Sequence, residues 1–125
     1  MKKKYHIRSR VDFLALRKKG KTWRNPLLIL AARPNGLGYP RVAVTVGKAN
    51  GNAVTRNRAK RRMRACLEPI FPHFVSGWDV LFIARRPITT AGFTEIRQAV
   101  KALLQQAALL DVELENIGPL HGLPG

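Results

Sequence analysis

Gly51-Asn52-Ala53-Val54-Thr55-Arg56-Asn57-Arg58-Ala59-Lys60-Arg61-Arg62-Met63-Arg64 is the stretch from which the rest of the chain is read. Asn52 is a good helix cap. Ala59, Met63, Cys66, Leu67 and Ile70 recur at helical spacing, so one face of the segment is apolar. The pattern predicts a helix over about 53–68, ended by Pro69 and Pro72. Six of the nine residues 56–64 are Lys or Arg. At about 100° per residue they surround everything except the apolar stripe. An ordinary solvated face would interleave acids to make i,i+4 pairs, and none occurs before Glu68. A helix that packs on one side and leaves its cations uncompensated on the others suits phosphate binding. Arginine's fork makes bidentate phosphate contacts, and Asn57 can reach a 2′-hydroxyl or a base edge. The loop Gly47 to Asn52 presents backbone N–H groups at a helix start, a second anion-binding feature. It is not a Walker loop, because no Gly-Lys-Ser/Thr follows.

Outward from this helix, the elements are expected in the order α-β-β-α-β-α. Ser9 caps a first helix over about 10–19, with Val11, Leu14 and Ala15 as its core face, Phe13 and Leu16 toward neighbouring faces, and Gly20 as its stop. Trp23 to Arg33 reads as one strand with Pro26 near its beginning. Residues 34–40 are dense in turn formers, and Arg41 to Val46 reads as a second strand in a hairpin with the first. Trp78 to Ala84 is a third strand. A last helix spans about 91–110, with Phe93, Ile96, Val100, Leu103, Leu104 and Ala107 inward. The fold class is α+β, a small mixed sheet packed with helices. Residues 1–110 are expected to form one RNA-binding domain, and 111–125, rich in Gly and Pro, a flexible tail.

The chain has 125 residues, 46% of them hydrophobic, enough for one core without staples. Lys and Arg number 23 against 7 Asp and Glu, a net charge of +16. Residues 1–64 carry +18, with Asp12 their one acid, and residues 65–125 carry −2. Charge of this size works against compactness, and its confinement to one half points to a polyanionic partner. One cysteine allows no internal disulfide, and three scattered histidines give no metal-ligand spacing. No apolar run is long enough to span a membrane, and the basic segments lack the apolar face of an interfacial helix. The basic N-terminus has no apolar stretch behind it, so no secretory signal is read there and a cytoplasmic location is expected. Cys66 falls on the apolar stripe and is read as a buried small side chain rather than a nucleophile. Trp23 and Trp78 are read as core at the sheet ends, Tyr5 and His6 as a frayed terminus. Asp12 and Asp79 read as isolated acids, and His73 and His121 have no evident partners. With no paired carboxylates and no Ser/His/Asp set, no catalytic residue is expected on this chain.

The 51–64 stretch resembles the signature of the bacterial ribonuclease P protein family. Asp12-Phe13 with Gly20, Pro34-Asn35, Leu37-Gly38, Pro40-Arg41 leading to Lys48, and Ala84-Arg85-Arg86-Pro87 fit the same order. The resemblance covers about residues 7–110. It implies a left-handed β-α-β crossover through the basic helix, as in the ribosomal protein S5 domain 2-like fold; the general rule favours the opposite hand. It implies an RNA catalyst that requires Mg²⁺, with none held by the protein, and one protein per ribonuclease P RNA. The RNA subunit would be bound by Lys48, Asn52, Arg56, Asn57, Arg58, Lys60, Arg61, Arg62 and Arg64. The single-stranded 5′ leader of precursor tRNA would lie between the first helix and the sheet, against Arg10, Phe13, Arg17 and Arg41. Arg17 stands where the family often has a second aromatic, and a guanidinium can still stack on a base. Gly47-Lys48-Ala49 replaces a usual Ser-Lys-Lys, and Ala59 a larger aliphatic residue. A structural ribosomal or other small RNA-binding protein is the alternative; it would not prefer precursor over mature tRNA. A DNA regulator fits less well, since base reading needs more varied side chains than Arg and Lys.

Overall fold

Asn52 does cap the basic helix: its side-chain oxygen accepts from the Thr55 N–H at 2.9 Å. The helix, α2, is Ala53–Leu67. Gly51 ahead of it holds φ 122°, where a Cβ would also lie 3.2 Å from the Thr55 side chain, so glycine is needed to turn into the helix. Ala59, Met63, Cys66, Leu67 and Ile70 are all buried, as their spacing predicts.

The computed structural model describes residues 1–111. Beyond Asp111, the expected tail with Glu113, Glu115 and His121 lies outside the described residues. The other elements are α1 (Arg10–Lys19), β1 (Lys21–Arg24), β2 (Leu28–Pro34), β3 (Arg41–Thr45), β4 (Trp78–Ala84) and α3 (Phe93–Gln106), with short 3₁₀ turns at Lys3–Tyr5, Lys48–Asn50, Phe71–His73 and Arg86–Thr89.

The four strands run β1-β2-β4-β3 across one mixed sheet. β2 pairs antiparallel with both β1 and β4, and β3 pairs parallel with β4. The parallel pair is joined through α2. β2 and β4 are apolar on both faces and take the centre. The expected hairpin between the 23–33 and 41–46 strands therefore does not form, because β4 inserts between them. The 23–33 strand is itself two strands. The Asn25 side chain accepts from the N–H groups of Leu27 and Leu28 at 3.0 and 2.9 Å, and its amide donates to the Ala99 carbonyl at 3.1 Å. This Asx turn, with Pro26, reverses the chain into a short edge strand.

Helices α2 and α3 cover one face of the sheet over Leu28, Leu30, Val42, Val80 and Phe82. Burying a side chain the size of Phe82 contributes about 1.5–3 kcal/mol. Trp23 and Trp78 pack at the margin of this core, half-buried. Helix α1 covers part of the other face, where Ile7, Leu16, Ala31 and Leu81 cluster with Phe13, Ala43 and Ile83 around them.

Two expected faces are corrected. On α1 the buried residue is Leu16, whereas Val11 and Leu14 are 74% and 50% exposed, because the helix meets the sheet along one narrow edge. On α3, Phe93 sits at the first helical position and is 46% exposed. That helix also starts later and ends earlier than expected. Nor is the N-terminus frayed: the Ile7 N–H donates to the Val42 carbonyl at 3.1 Å, and Tyr5 packs edge-on to Tyr39 and against Phe71.

Candidate nucleic-acid interface

The cations of α2 are presented to solvent by the burial of Ala59 and Met63 beneath them. Arg58, Arg61 and Arg64 are exposed, and Arg56, Lys60 and Arg62 partly so. Among the described residues, no acidic side chain pairs with any cation of this helix. Two of the arginines have backbone partners. Arg56 Nε donates to the Gly51 carbonyl at 3.1 Å and braces the loop before the helix. Arg62 Nη1 donates to the Ala91 carbonyl at 2.8 Å and ties α2 to the segment before α3. Asn52 spends its side-chain oxygen on the cap, whereas Asn57 is exposed. Lys48, exposed in the turn Lys48–Asn50, lies beside the start of α2, and the turn bearing Arg86 packs against both. Arg86 thus extends the basic surface, and its signal in the sequence was the Arg-Arg-Pro run after β4.

A second surface lies between α1 and the sheet. Phe13 is half-buried and shares a hollow of about 120 Å³ with His6, Ile7, Ala43 and Arg64. The hollow therefore opens between α1 and the basic helix. Arg10 and Arg17 are exposed on α1. Arg41 is placed differently. Its Nε and Nη2 donate to the two carboxylate oxygens of Asp79 at 2.9 and 2.7 Å, and Nη2 also meets Asp12 at 3.3 Å. Asp79 is 4% exposed and accepts a further bond from Asn35 at 2.9 Å. The hydrogen bonds to Asp79, reinforced by both nearby carboxylates, raise the Arg41 pKa against the opposing effect of burial. Its charge is neutralised by two acids, so it fixes α1 to β3 and β4 instead of offering a free cation. Asp12 and Asp79, isolated in sequence, are thus partners through Arg41. Nothing local in the sequence signals that convergence.

The remaining chemical groups are structural. Cys66 is buried, and burial pushes its thiol up to about 11 despite nearby Arg97. Lys101 is lowered by burial and by the same arginine. His73, expected without a partner, has Nδ1 3.9 Å from an Asp111 oxygen. Among the described residues no group of three or more His, Cys, Asp or Glu side chains is placed to hold a metal ion. No helix among them is long and apolar enough to cross a membrane.

The family model for ribonuclease P matches residues 1–108. The chain belongs to the ribonuclease P protein family. The ribonuclease P protein component of Herpetosiphon aurantiacus is 41% identical over 109 residues, covering 87% of this chain and 89% of that one. That of Chloroflexus aurantiacus is 34% identical over 126 residues, 99% of this chain and 93% of its own. Among solved structures, the Staphylococcus aureus RNase P protein superposes with a TM-score of 0.78 at 28% identity, covering 85% of this chain and 97% of that one. The Thermotoga maritima RNase P protein gives 0.74 at 28%, covering 81% and 96%. The α+β architecture with a mixed sheet is therefore that of ribonuclease P proteins.

Proposed function

We propose that this ribonuclease P protein serves as the RNA-binding subunit of a ribonucleoprotein endonuclease that removes 5′ leaders from precursor tRNA. One copy binds one ribonuclease P RNA in the cytoplasm, and the RNA with its Mg²⁺ carries out the cleavage. The protein's contribution is electrostatic and positional: it screens phosphate repulsion between the two RNAs and adds contact to the leader. The observation that carries this reading is the uncompensated cationic face of α2.

In this reading Arg58, Lys60, Arg61 and Arg64, with Lys48, Asn57 and one edge of Arg56, meet the RNA subunit. Asn52 and Arg62 hold the helix in place. The single-stranded leader runs along α1, where Phe13 offers a ring to one base and Arg17 a guanidinium plane to another. Arg10 neutralises leader phosphate, and Arg41 keeps the helix that carries these groups against the sheet. Residues 1–110 act as one unit, with the rest of the chain as an appendage.

With about six phosphates neutralised, log K for the RNA subunit should fall against log salt with a slope of roughly −4 to −5. Replacing Arg56 and Arg58 together with Ala is expected to shrink that slope by about 1–2. An unchanged slope would put the RNA site elsewhere.

A further inference from the structure

A second hollow, of about 440 Å³, lies at the end of β3 away from the start of α2, walled by Tyr5, Tyr39, Pro40 and Phe71, with Ser76 and Asp111 at its margin. Its size falls in the range of small-molecule sites. The two tyrosine rings meet edge to face, with centroids 5.6 Å apart and planes at 76°. Lys4 Nζ stands 5.2 Å from the centre of one ring and 4.8 Å from the other. Lys2, Lys3 and Lys4 are all exposed beside it. Aromatic walls, a cation against them, and a hydroxyl and a carboxylate at the margin are the groups that receive an unpaired base. One ring stacks on it and the other, at 76°, meets its edge, while Lys4 swings from the rings to a flanking phosphate and the oxygens bond the base edge.

The position of the hollow names the occupant. Tyr5 lines it, and the next residue, His6, lines the Phe13 hollow. Residues 3–7 run along the outer edge of β3, with His6 bridging Val42. Successive residues of this basic stretch thus line the two hollows. We infer that the Tyr5–Tyr39 hollow receives an upstream nucleobase of the same single strand that lies against Phe13, after the strand has crossed the ridge of Lys2 to Lys4. The inference rests on the reading that the Phe13 cleft holds the leader. It adds a second stacking site, farther from the cleavage point, for a leader long enough to reach it.

The test uses holoenzyme assembled from the full chain and a ribonuclease P RNA. Precursor tRNAs carry leaders of stepped length, and an abasic nucleotide is walked along the longest. Affinity is measured for the wild type, Tyr39→Leu, Tyr39→Phe and Lys4→Gln, after circular dichroism has checked their folding. At one upstream position, removal of the base should weaken wild-type and Tyr39→Phe binding roughly fivefold or more. The same removal should leave Tyr39→Leu unchanged. Lys4→Gln should weaken binding of every leader that reaches this position, whatever its base. In the wild type, 4-thiouridine there should cross-link to the peptide containing Tyr39, a readout that needs no variant to fold. A leader that improves binding but shows no position coupled to Tyr39, with cross-links confined to α1, overturns the inference and leaves the cleft reading standing. A leader that adds no affinity at any length overturns both. Tighter binding by Tyr39→Leu at all lengths also overturns it.

Discussion

Asp79→Asn removes one negative charge and leaves the shape of the site. In the native protein Asp79 takes two bonds from Arg41 and one from Asn35. In the variant, one of the two oxygens becomes an amide that faces donors. Breaking a buried ion pair by neutralising one member costs about 3–5 kcal/mol. The Arg41 side chain keeps 21% exposure and retains Asp12, so water and the second acid recover part of this, leaving about 2–4 kcal/mol. At about 4 °C per kcal/mol for a fold of this size, Tm should fall by roughly 8–16 °C. Urea unfolding followed by circular dichroism gives the free energy directly. Because the loss comes mainly from the stranded guanidinium, Arg41→Met in the same background should recover part of it. A loss under about 1 kcal/mol, or a double variant no more stable than Asp79→Asn alone, would refute the clamp and return Arg41 to the role of a free phosphate ligand.

Arg62→Ala should lower stability by about 1 kcal/mol through the lost bond to the Ala91 carbonyl, whereas Arg61→Ala, at an exposed position, should change it by less than about 0.5 kcal/mol; thermal melts of the two variants separate the bracing arginine from the free one. Cys66, with its thiol pushed up to about 11, is about one part in a thousand thiolate at pH 8. An aromatic disulfide reagent should therefore modify it only as fast as the protein unfolds. The raised value means the folded state holds the proton more tightly, so stability should decline as pH rises from about 9 to 11, a trend that Cys66→Ala removes.

The parts of the fold legible in the sequence are those set by neighbours along the chain. The α2 cap, its apolar stripe, the Ser9 cap of α1 and the bounds of β4 all follow from residues within a few positions of each other. The strand order was not legible, because a doubly apolar strand announces a central position but not its partners. The β1–β2 turn was hidden because Asn25 makes it with one side chain, inside what reads as a continuous run. On α1, hydrophobic spacing assigned Val11 and Leu14 inward, but only a narrow edge of that helix meets the sheet, and the apolar residues beside it stay in water. The cationic face of α2 was legible from its charge pattern, whereas the addition of Arg86 to it and the neutralisation of Arg41 were not. Nor was the division of the helix's arginines into free and bracing groups, since Arg62 finds its partner 29 residues away. Asp12, Arg41 and Asp79 meet from separations of 29 and 38 residues, and the same holds for Tyr5 and Tyr39.

In the proposed function this chain assists an RNA catalyst on precursor tRNA. The most direct measurement adds the purified protein to a bacterial ribonuclease P RNA at low Mg²⁺ and follows cleavage of 5′-labelled precursor tRNA. Restored cleavage at the leader junction, no cleavage by protein alone, and tighter binding of precursor than of mature tRNA are the expected results. Tight binding to the RNA with no restored cleavage and no preference for precursor would contradict that function and make the chain a structural RNA-binding protein.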